Sequence, residues 1–294
     1  MELELKNLSK QFKGKAAVRA VSAHFAPGVY GLLGANGAGK TTLMRMICGV
    51  LEPSGGSVSF NGASIADLGE RYYARLGYLP QDFGFYPDFT AREFLLYMAA
   101  VKGLEPRAAR RRTAEMLSLV NLADVADKRI GGFSGGMKRR LGIAQAELSS
   151  PEVLVFDEPT AGLDPKERVR FRNLLAELSK SRIVLLSTHI VSDIASIADH
   201  VLVMREGALV FEAPMDESLR GLEGRVWELE LPERQAASAL SRYQTLSVEP
   251  IGPCTRLRVV SDGRPSAEAR LQEPTLEDLF LLFTEGQRLK EGSI

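Results

Sequence analysis

The residues with the clearest chemistry form a glycine-rich stretch that ends in a lysine and two threonines. The stretch consists of Gly34, Ala35, Asn36, Gly37, Ala38, Gly39, Lys40, Thr41 and Thr42. Its spacing matches G-x-x-x-x-G-K-[ST], the Walker A phosphate-binding pattern. An apolar strand precedes it at residues 29–33, and apolar residues at helical spacing follow it from Leu43 to Val50. Strand, loop and helix in this order predict a site for a triphosphate.

Each residue type in this loop has a physical reason. Backbone N–H groups of the loop and the helix start can replace the water that a triphosphate loses on binding. The glycines allow a tight turn and close approach, because they carry no Cβ. Lys40 offers a positive charge to the β- and γ-phosphates, and Thr41 offers a hydroxyl to Mg²⁺.

A pair of acidic residues follows a second apolar segment. Residues 153–156 form a continuous apolar run, as expected for a parallel strand covered on both faces, and Asp157 and Glu158 come next. In a chain with a phosphate loop, this arrangement is a Walker B element. We predict that Asp157 holds Mg²⁺ and that Glu158 orients and deprotonates the attacking water.

A second glycine-rich segment, residues 130–137, interrupts the helices that surround it. Ser134 suits a helix N-cap, and Gly135 and Gly136 leave backbone N–H groups uncovered. This is a second anion-binding helix start, although a lone Ser-Gly-Gly is more often a simple turn. The basic run 138–140 is expected to add positive charge nearby.

Three single residues have two interpretations each. Gln81 ends a short apolar strand and either binds Mg²⁺ or the attacking water, or is an ordinary strand-end polar residue. His189 follows a third apolar strand, and we favour a γ-phosphate contact over a structural role. Phe12 lies in a polar stretch, where stacking on a purine and packing on its own hairpin are equally supported.

Composition limits the function classes. The chain has 294 residues, 45% of them apolar, which suits one large α/β domain with a smaller appendage. Basic and acidic residues number 37 each, so bulk nucleic-acid binding is not expected. Cys48 and Cys254 lie far apart and predict neither a disulfide framework nor a metal site. We find no signal-peptide pattern and no apolar run of membrane-spanning length, so we expect a cytoplasmic protein.

The order of elements agrees with this organisation. Alternating strands occupy the first part of the chain, and a helical stretch follows at about residues 91–126. Beyond about residue 220, half-exposed strands and short helices predict a small α+β appendage. Its apolar helix, residues 276–283, packs either on its own sheet, as is usual, or on another subunit.

With these motifs in order, residues 1–220 resemble the nucleotide-binding subunit of ATP-binding cassette (ABC) transporters. The resemblance is carried by Walker A (34–41), the Q-loop residue Gln81, the signature (133–137), Walker B (153–158), the D-loop (161–164) and the H-loop residue His189. Phe12 occupies the adenine-stacking position, and residues 273–280 resemble the end of export-type subunits. The signature departs from the usual Leu-Ser-Gly-Gly-Gln by ending in Met137, which puts the glutamine's contacts in doubt.

The resemblance implies a P-loop NTPase cassette. Its parts are a mostly parallel sheet, an antiparallel β subdomain, a helical subdomain at about 82–135 and the appendage, 221–294. It implies hydrolysis of ATP with Mg²⁺ by a head-to-tail dimer, with each ATP between one Walker A and the other signature. It also implies a membrane permease as partner, export, and a peripheral position at the cytoplasmic face. An alternative is a soluble ABC ATPase that acts on nucleic acid or ribosomes, which a single cassette without net basic charge disfavours.

Overall fold

The computed structural model describes residues 1–160 and 162–284, so Ala161 of the D-loop and the end of the appendage lie outside the described residues. The strands are β1 Leu3–Phe12, β2 Lys15–Phe25, β3 Gly28–Leu33, β4 Gly55–Phe60, β5 Ala63–Ser64, β6 Leu76–Leu79, β7 Val153–Asp157, β8 Ile183–Thr188, β9 His200–Arg205, β10 Ala208–Pro214, β11 Val226–Pro232, β12 Gln244–Ile251, β13 Cys254–Val260 and β14 Arg270–Leu271. The α-helices are α1 Lys40–Ile47, α2 Ile65–Leu68, α3 Glu70–Tyr73, α4 Ala91–Val101, α5 Pro106–Leu119, α6 Gly135–Glu147, α7 Pro165–Leu178, α8 Val191–Ile194, α9 Glu233–Arg242 and α10 Leu276–Thr284.

A six-stranded sheet forms the centre of the molecule, in the order β10-β9-β3-β8-β7-β6. Five strands run parallel, and only β10 runs antiparallel, at one edge. Strands β3, β7 and β8 are buried along their whole length, since both faces of the sheet are covered. The α/β class predicted from the apolar runs is therefore confirmed, and the carboxyl ends of these strands meet at one edge.

A smaller antiparallel sheet, in the order β2-β1-β4-β5, covers one face of the centre. Asn61 and Gly62 connect β4 to β5 with positive φ angles of 49° and 79°, as a tight hairpin turn requires. Apolar side chains of β1, β2 and β4 share one buried cluster with those of α1, β3 and β7. This packing holds the helix that follows the phosphate loop between two sheets.

Helices α4, α5 and α6 lie between β6 and β7 in the chain, where the sequence predicts helices. Thr90 and Glu93 form a reciprocal capping box that starts α4, and Glu105 caps α5 through its carboxylate. Their apolar faces join the second large cluster, which also contains Leu79 and Phe156 of the central sheet. The helical region is thus attached to the sheet edge at β6.

The appendage contains a third sheet, in the order β12-β13-β11-β14. Helix α10 contacts β12 of this sheet and also α8 and β9. The side chain of Arg205 in β9 donates a hydrogen bond to the Phe283 carbonyl at 3.0 Å. The helix therefore packs on its own sheet and on the rest of the chain, and the boundary at residue 220 remains a proposal.

One helix boundary differs from the sequence analysis. Helix α1 ends at Ile47, so Val50 lies beyond it and is 65% exposed rather than part of the apolar face. Helix α6 begins at Gly135, directly after Ser134, which caps it as its residue type predicted. Within residues 1–160 and 162–284, every helix is too short or too polar to cross a membrane.

Candidate nucleotide site

The phosphate loop connects β3 to α1 and adopts a backbone that only glycine accommodates at two points. Gly37 and Gly39 have φ angles of 82° and 106°. A Cβ on Gly39 would also collide with the Ala17 carbonyl of the neighbouring sheet. Beside the loop lies a cavity, which we call the nucleotide cavity. It is lined by Ala17, Asn36, Gly37, Ala38, Gly39, Lys40, Thr41, Thr42, Gln81 and Glu158.

Lys40 is 6% exposed, although it carries a positive charge. Its Nζ donates to the carbonyl oxygens of Gly34 at 2.6 Å and Ala35 at 3.3 Å, and lies 3.7 Å from Glu158 Oε1. Burial lowers the pKa of the ammonium group, and the carboxylates of Glu158 and Asp157 partly oppose this shift. The charge is held by oxygen atoms at the place where a phosphate would bind.

Asp157 ends β7 and is fully buried. Its Oδ1 accepts a 2.6 Å hydrogen bond from the Ser187 hydroxyl of the neighbouring strand β8. Its Oδ2 is also buried but has no hydrogen-bond partner among the described residues. A buried carboxylate oxygen without a partner is costly, and a cation or a cation-bound water would satisfy it.

Glu158 has a backbone φ of 50°, in the left-handed region that non-glycine residues rarely adopt. Its amide donates to the Ser187 carbonyl at 3.2 Å and to the Ser187 hydroxyl at 3.0 Å, which stabilise this conformation. The side chain is 6% exposed, and its Oε2 lies 3.0 Å from His189 Nδ1. The carboxylate thus connects Lys40 to His189.

The structure brings most of the predicted site residues together. Thr41 and Gln81 line the nucleotide cavity beside Lys40 and Glu158. His189 lines a second cavity, which shares Asn36, Gly37 and Ala38 of the phosphate loop with the nucleotide cavity. That cavity is lined by Ala35, Asn36, Gly37, Ala38, His189, Met204, Arg205, Glu206, Phe280 and Thr284.

The signature and Phe12 lie elsewhere. The Ser134 hydroxyl caps α6 by accepting from the Met137 amide at 3.2 Å. The described linings of both cavities include neither Ser134, Gly135 and Gly136 nor Phe12. The Phe12 ring is 47% exposed, with Lys10 Nζ 5.3 Å from its centroid. One copy of the chain therefore does not bring the two phosphate-binding helix starts into one cavity.

Sequence reasoning missed one residue and misplaced another. Ser187 is the partner of Asp157 in the β7–β8 register, a contact that the strand ends alone did not suggest. Arg139 was expected to add positive charge near the signature, and this is wrong. Its side chain is buried and donates to backbone carbonyls of β7, of the segment after it and of the segment after β6. Its place in the basic run 138–140 gave no signal for this.

Comparison with known proteins agrees with the geometry. Residues 18–161 match the family model for ABC transporters. The ABC transporter ATP-binding protein YxlF of Bacillus subtilis is 39% identical over 79% of this chain and 77% of its own length. The Nod factor export ATP-binding protein I of Burkholderia orbicola is 34% identical over 96% of both chains. The bacitracin transport ATP-binding protein BcrA of Bacillus licheniformis is 37% identical over 80% of this chain and 76% of its own.

Solved structures give the same result. The ATP-binding subunit of an ABC transporter superposes with a TM-score of 0.70 at 31% identity, covering 76% of this chain and 95% of that one. A dimeric bacterial ABC transporter cassette has the same fold, with a TM-score of 0.67 at 24% identity, covering 72% of this chain and 98% of that one. With its phosphate loop, acidic strand end and overall fold, this chain belongs to the ABC transporter family as an ATP-binding and ATP-hydrolysing subunit.

Proposed function

We propose that this chain forms a head-to-tail dimer with a second cassette, a copy of itself in the simplest case, and encloses Mg-ATP between the two. The observation that carries this proposal is the separation of the two phosphate-binding helix starts. The start of α1 lines the nucleotide cavity, whereas Ser134, Gly135 and Gly136 lie outside it among the described linings. A second subunit would supply the missing side of a triphosphate that lies on α1.

Each side chain of this site would have a different role in the hydrolysis of ATP. Lys40, which lines the nucleotide cavity, would exchange its hydrogen bonds to loop carbonyls for bonds to the β- and γ-phosphate oxygens. Glu158 would accept the proton of the attacking water, a role for which it must be held in place as a carboxylate. His189, 3.0 Å from that carboxylate, would orient it and contact the γ-phosphate.

The donor set suits Mg²⁺. Thr41 offers a hydroxyl, Gln81 an amide carbonyl, and Asp157 the Oδ2 for which residues 1–160 and 162–284 supply no hydrogen-bond partner. Oxygen donors with one carboxylate are typical of magnesium sites that complete their shell with water and phosphate. When bound, the ion would neutralise phosphate charge during transfer to water. The purine would stack on Phe12, whose exposed ring is accessible to it.

The transport role of this chain follows from its relatives. The Burkholderia protein is named for Nod factor export and the Bacillus licheniformis protein for bacitracin transport. We infer that this chain likewise powers export through a separate membrane permease, and that it associates peripherally with the cytoplasmic face through that permease. The helical region from residue 82 to 135 would contact the permease, with Gln81 at its entrance.

Affinity purification tests this assignment. A tagged chain expressed in its native host should retain an integral membrane protein after mild detergent extraction, and the complex should hydrolyse ATP in a Mg²⁺-dependent manner. Purification without any membrane protein, together with a salt-sensitive gel shift on nucleic acid, would support the soluble alternative instead.

A further inference from the structure

A buried arginine lies on the helix that begins with the signature. Arg139 lies in the second turn of α6 and is 8% exposed. A charged side chain at this depth is costly unless its hydrogen-bond donors are satisfied. Burial lowers the pKa of this guanidinium, and the carboxylates of Asp157 and Glu158 oppose the shift. The burial of this charged side chain costs free energy, so its position in the structure needs a physical reason.

The guanidinium of Arg139 is satisfied entirely by main-chain carbonyls from two separate segments. Nη1 donates to Pro80 at 3.1 Å and to Gln81 at 3.0 Å, in the segment that follows β6. Nη2 donates to Asp157 at 2.6 Å and to Glu158, at the end of β7. Nε donates to Pro159 at 3.1 Å. The planar fork of an arginine can satisfy all five acceptors at once, whereas a lysine cannot.

We propose that Arg139 is a positioning residue, which holds the backbone of Gln81 and the backbone of Asp157 and Glu158 in one rigid arrangement at the start of α6. The proposal rests on the proposed function, because these three residues are assigned there to magnesium and to the attacking water. Arg139 fixes the backbone segments that carry the side chains of these three residues. Glu158 has an unfavourable backbone conformation, with φ of 50°, and needs such support.

The same contact has a consequence for the dimer. Helix α6 begins at the segment proposed to contact the partner's ATP, and Arg139 lies one helical turn further on. The guanidinium therefore connects the start of α6, which is proposed to contact the partner's ATP, to Glu158 and Gln81. These two residues are proposed to act on the ATP that this protomer binds.

Two variants and a matched control test this role. Arg139→Gln removes the charge and most of the donors, whereas Arg139→Lys keeps the charge but loses the fork. Arg112→Gln serves as the control. Arg112 lies on α5 and also donates to main-chain carbonyls, those of Glu147 and Leu148 at the far end of α6, and its side chain is 20% exposed.

The first readout is amide hydrogen exchange of the chain without nucleotide. Both Arg139 variants should speed exchange in the segments around residues 79–84 and 156–160, and Arg112→Gln should not. The second readout is kinetic. The Arg139 variants should bind ATP without magnesium as the wild type does, need more Mg²⁺ for half-maximal activity, and lose about a hundredfold in kcat, as expected for misplaced groups.

The outcomes separate this inference from the function on which it rests. If the wild-type protein did not hydrolyse Mg-ATP in the presence of its permease, this result would contradict the proposed function. If the wild type is active but the Arg139 variants show unchanged amide hydrogen exchange and unchanged Mg²⁺ dependence, the positioning role alone is overturned. Full recovery by Arg139→Lys would overturn it too, since charge without the fork would then be enough. If the glutamine variant does not fold, the lysine variant carries both readouts.

Discussion

At the scale of single residues, Glu158 is the point on which the site depends. Its carboxylate lies 3.7 Å from Lys40 and 3.0 Å from His189, and its amide is held by Ser187. Removing water from around a carboxylate that is still reachable by substrate is how proteins prepare a general base. The backbone strain at this residue indicates that position matters more here than local stability.

Replacement of Glu158, the proposed general base, has a defined outcome. Glu158→Gln keeps the shape of the side chain but removes proton acceptance, so ATP should still bind while hydrolysis falls about 10²–10⁴-fold. Phosphate release under saturating Mg-ATP measures this. The control is Glu152→Gln, just before the start of the same strand, where the acid forms an exposed ion pair with Arg75. Hydrolysis by Glu158→Gln near the wild-type rate would remove the base assignment.

At the scale of elements, the site is built from the ends of neighbouring strands and the helices that follow them. Strands β3, β7 and β8 end side by side, which brings together the phosphate loop, the two acids and His189. Strand β6 adds Gln81 from the sheet edge, where the helical region begins. A movement of that region would therefore reach the nucleotide through Gln81.

Gln81→Ala tests this connection. The alanine removes the amide while Lys40 and Glu158 remain, so ATP should bind as in the wild type. Hydrolysis by the reconstituted permease complex should no longer respond to the transported substrate, because the contact that links the two parts is absent. Parallel measurement of ATPase activity and substrate flux checks this result. Transport with normal coupling would show that the linkage runs elsewhere.

The ion pair that anchors α10 gives an element-scale prediction about acid. Asp278 is 2% exposed, and its carboxylate accepts from Arg258 at 2.6 and 2.8 Å and from Thr275. Burial raises the pKa of Asp278, but the hydrogen bonds from Arg258 and Thr275 outweigh it and leave the pKa lowered. The pair therefore stabilises the fold above the unfolded aspartate pKa of about 3.9, and this contribution is lost as pH falls through the lower folded value.

Asp278→Asn measures that contribution. It leaves Arg258 with a neutral partner, which should cost about 3 kcal/mol of unfolding free energy near pH 7. Urea titrations of wild type and variant at neutral pH and below pH 4 should show the difference shrinking in acid, as the wild-type carboxyl becomes protonated. A difference that stays constant with pH would mean that packing rather than charge anchors the helix.

At the scale of the whole molecule, the linings of the described cavities include residues of Walker A, Glu158 of Walker B, Gln81 and His189, but none of the signature. Completion of the site by a second copy can be tested by mixing two inactive proteins. In a head-to-tail dimer, one composite site takes its Walker A from one protomer and its signature from the other.

Lys40→Ala and Ser134→Arg should each abolish ATPase activity, because each damages both sites of a homodimer. Mixed dimers contain one intact site, formed by the Walker A of the Ser134→Arg protomer and the signature of the Lys40→Ala protomer. Mixing during reconstitution with the permease should therefore restore activity, whereas mixing Lys40→Ala with Glu158→Gln should not, since both lie on the same side. Absence of recovery in the first mixture would exclude the head-to-tail arrangement.

The amino-acid sequence alone determined the nucleotide chemistry and the fold class. Gly-rich spacing, an acid pair after an apolar run and a histidine after another apolar run are local patterns, and each follows from the strand or helix next to it. Periodicity also predicted a helical stretch at about 91–126, in which α4 and α5 lie, and it predicted α10 to within one residue. It placed the end of α1 too late, since the apolar spacing continues to Val50 but the helix stops at Ile47.

Only the tertiary structure decided how distant segments meet. Ser187 supports Asp157 and Glu158 because β7 and β8 pair in one particular register, and sequence spacing does not encode that register. Arg139 reads as a surface charge beside Lys138 and Arg140, yet two segments far apart in the chain surround it with carbonyl oxygens. The burial of a charged residue depends on which long-range partners the fold supplies, and this is why the sequence predicted it wrongly.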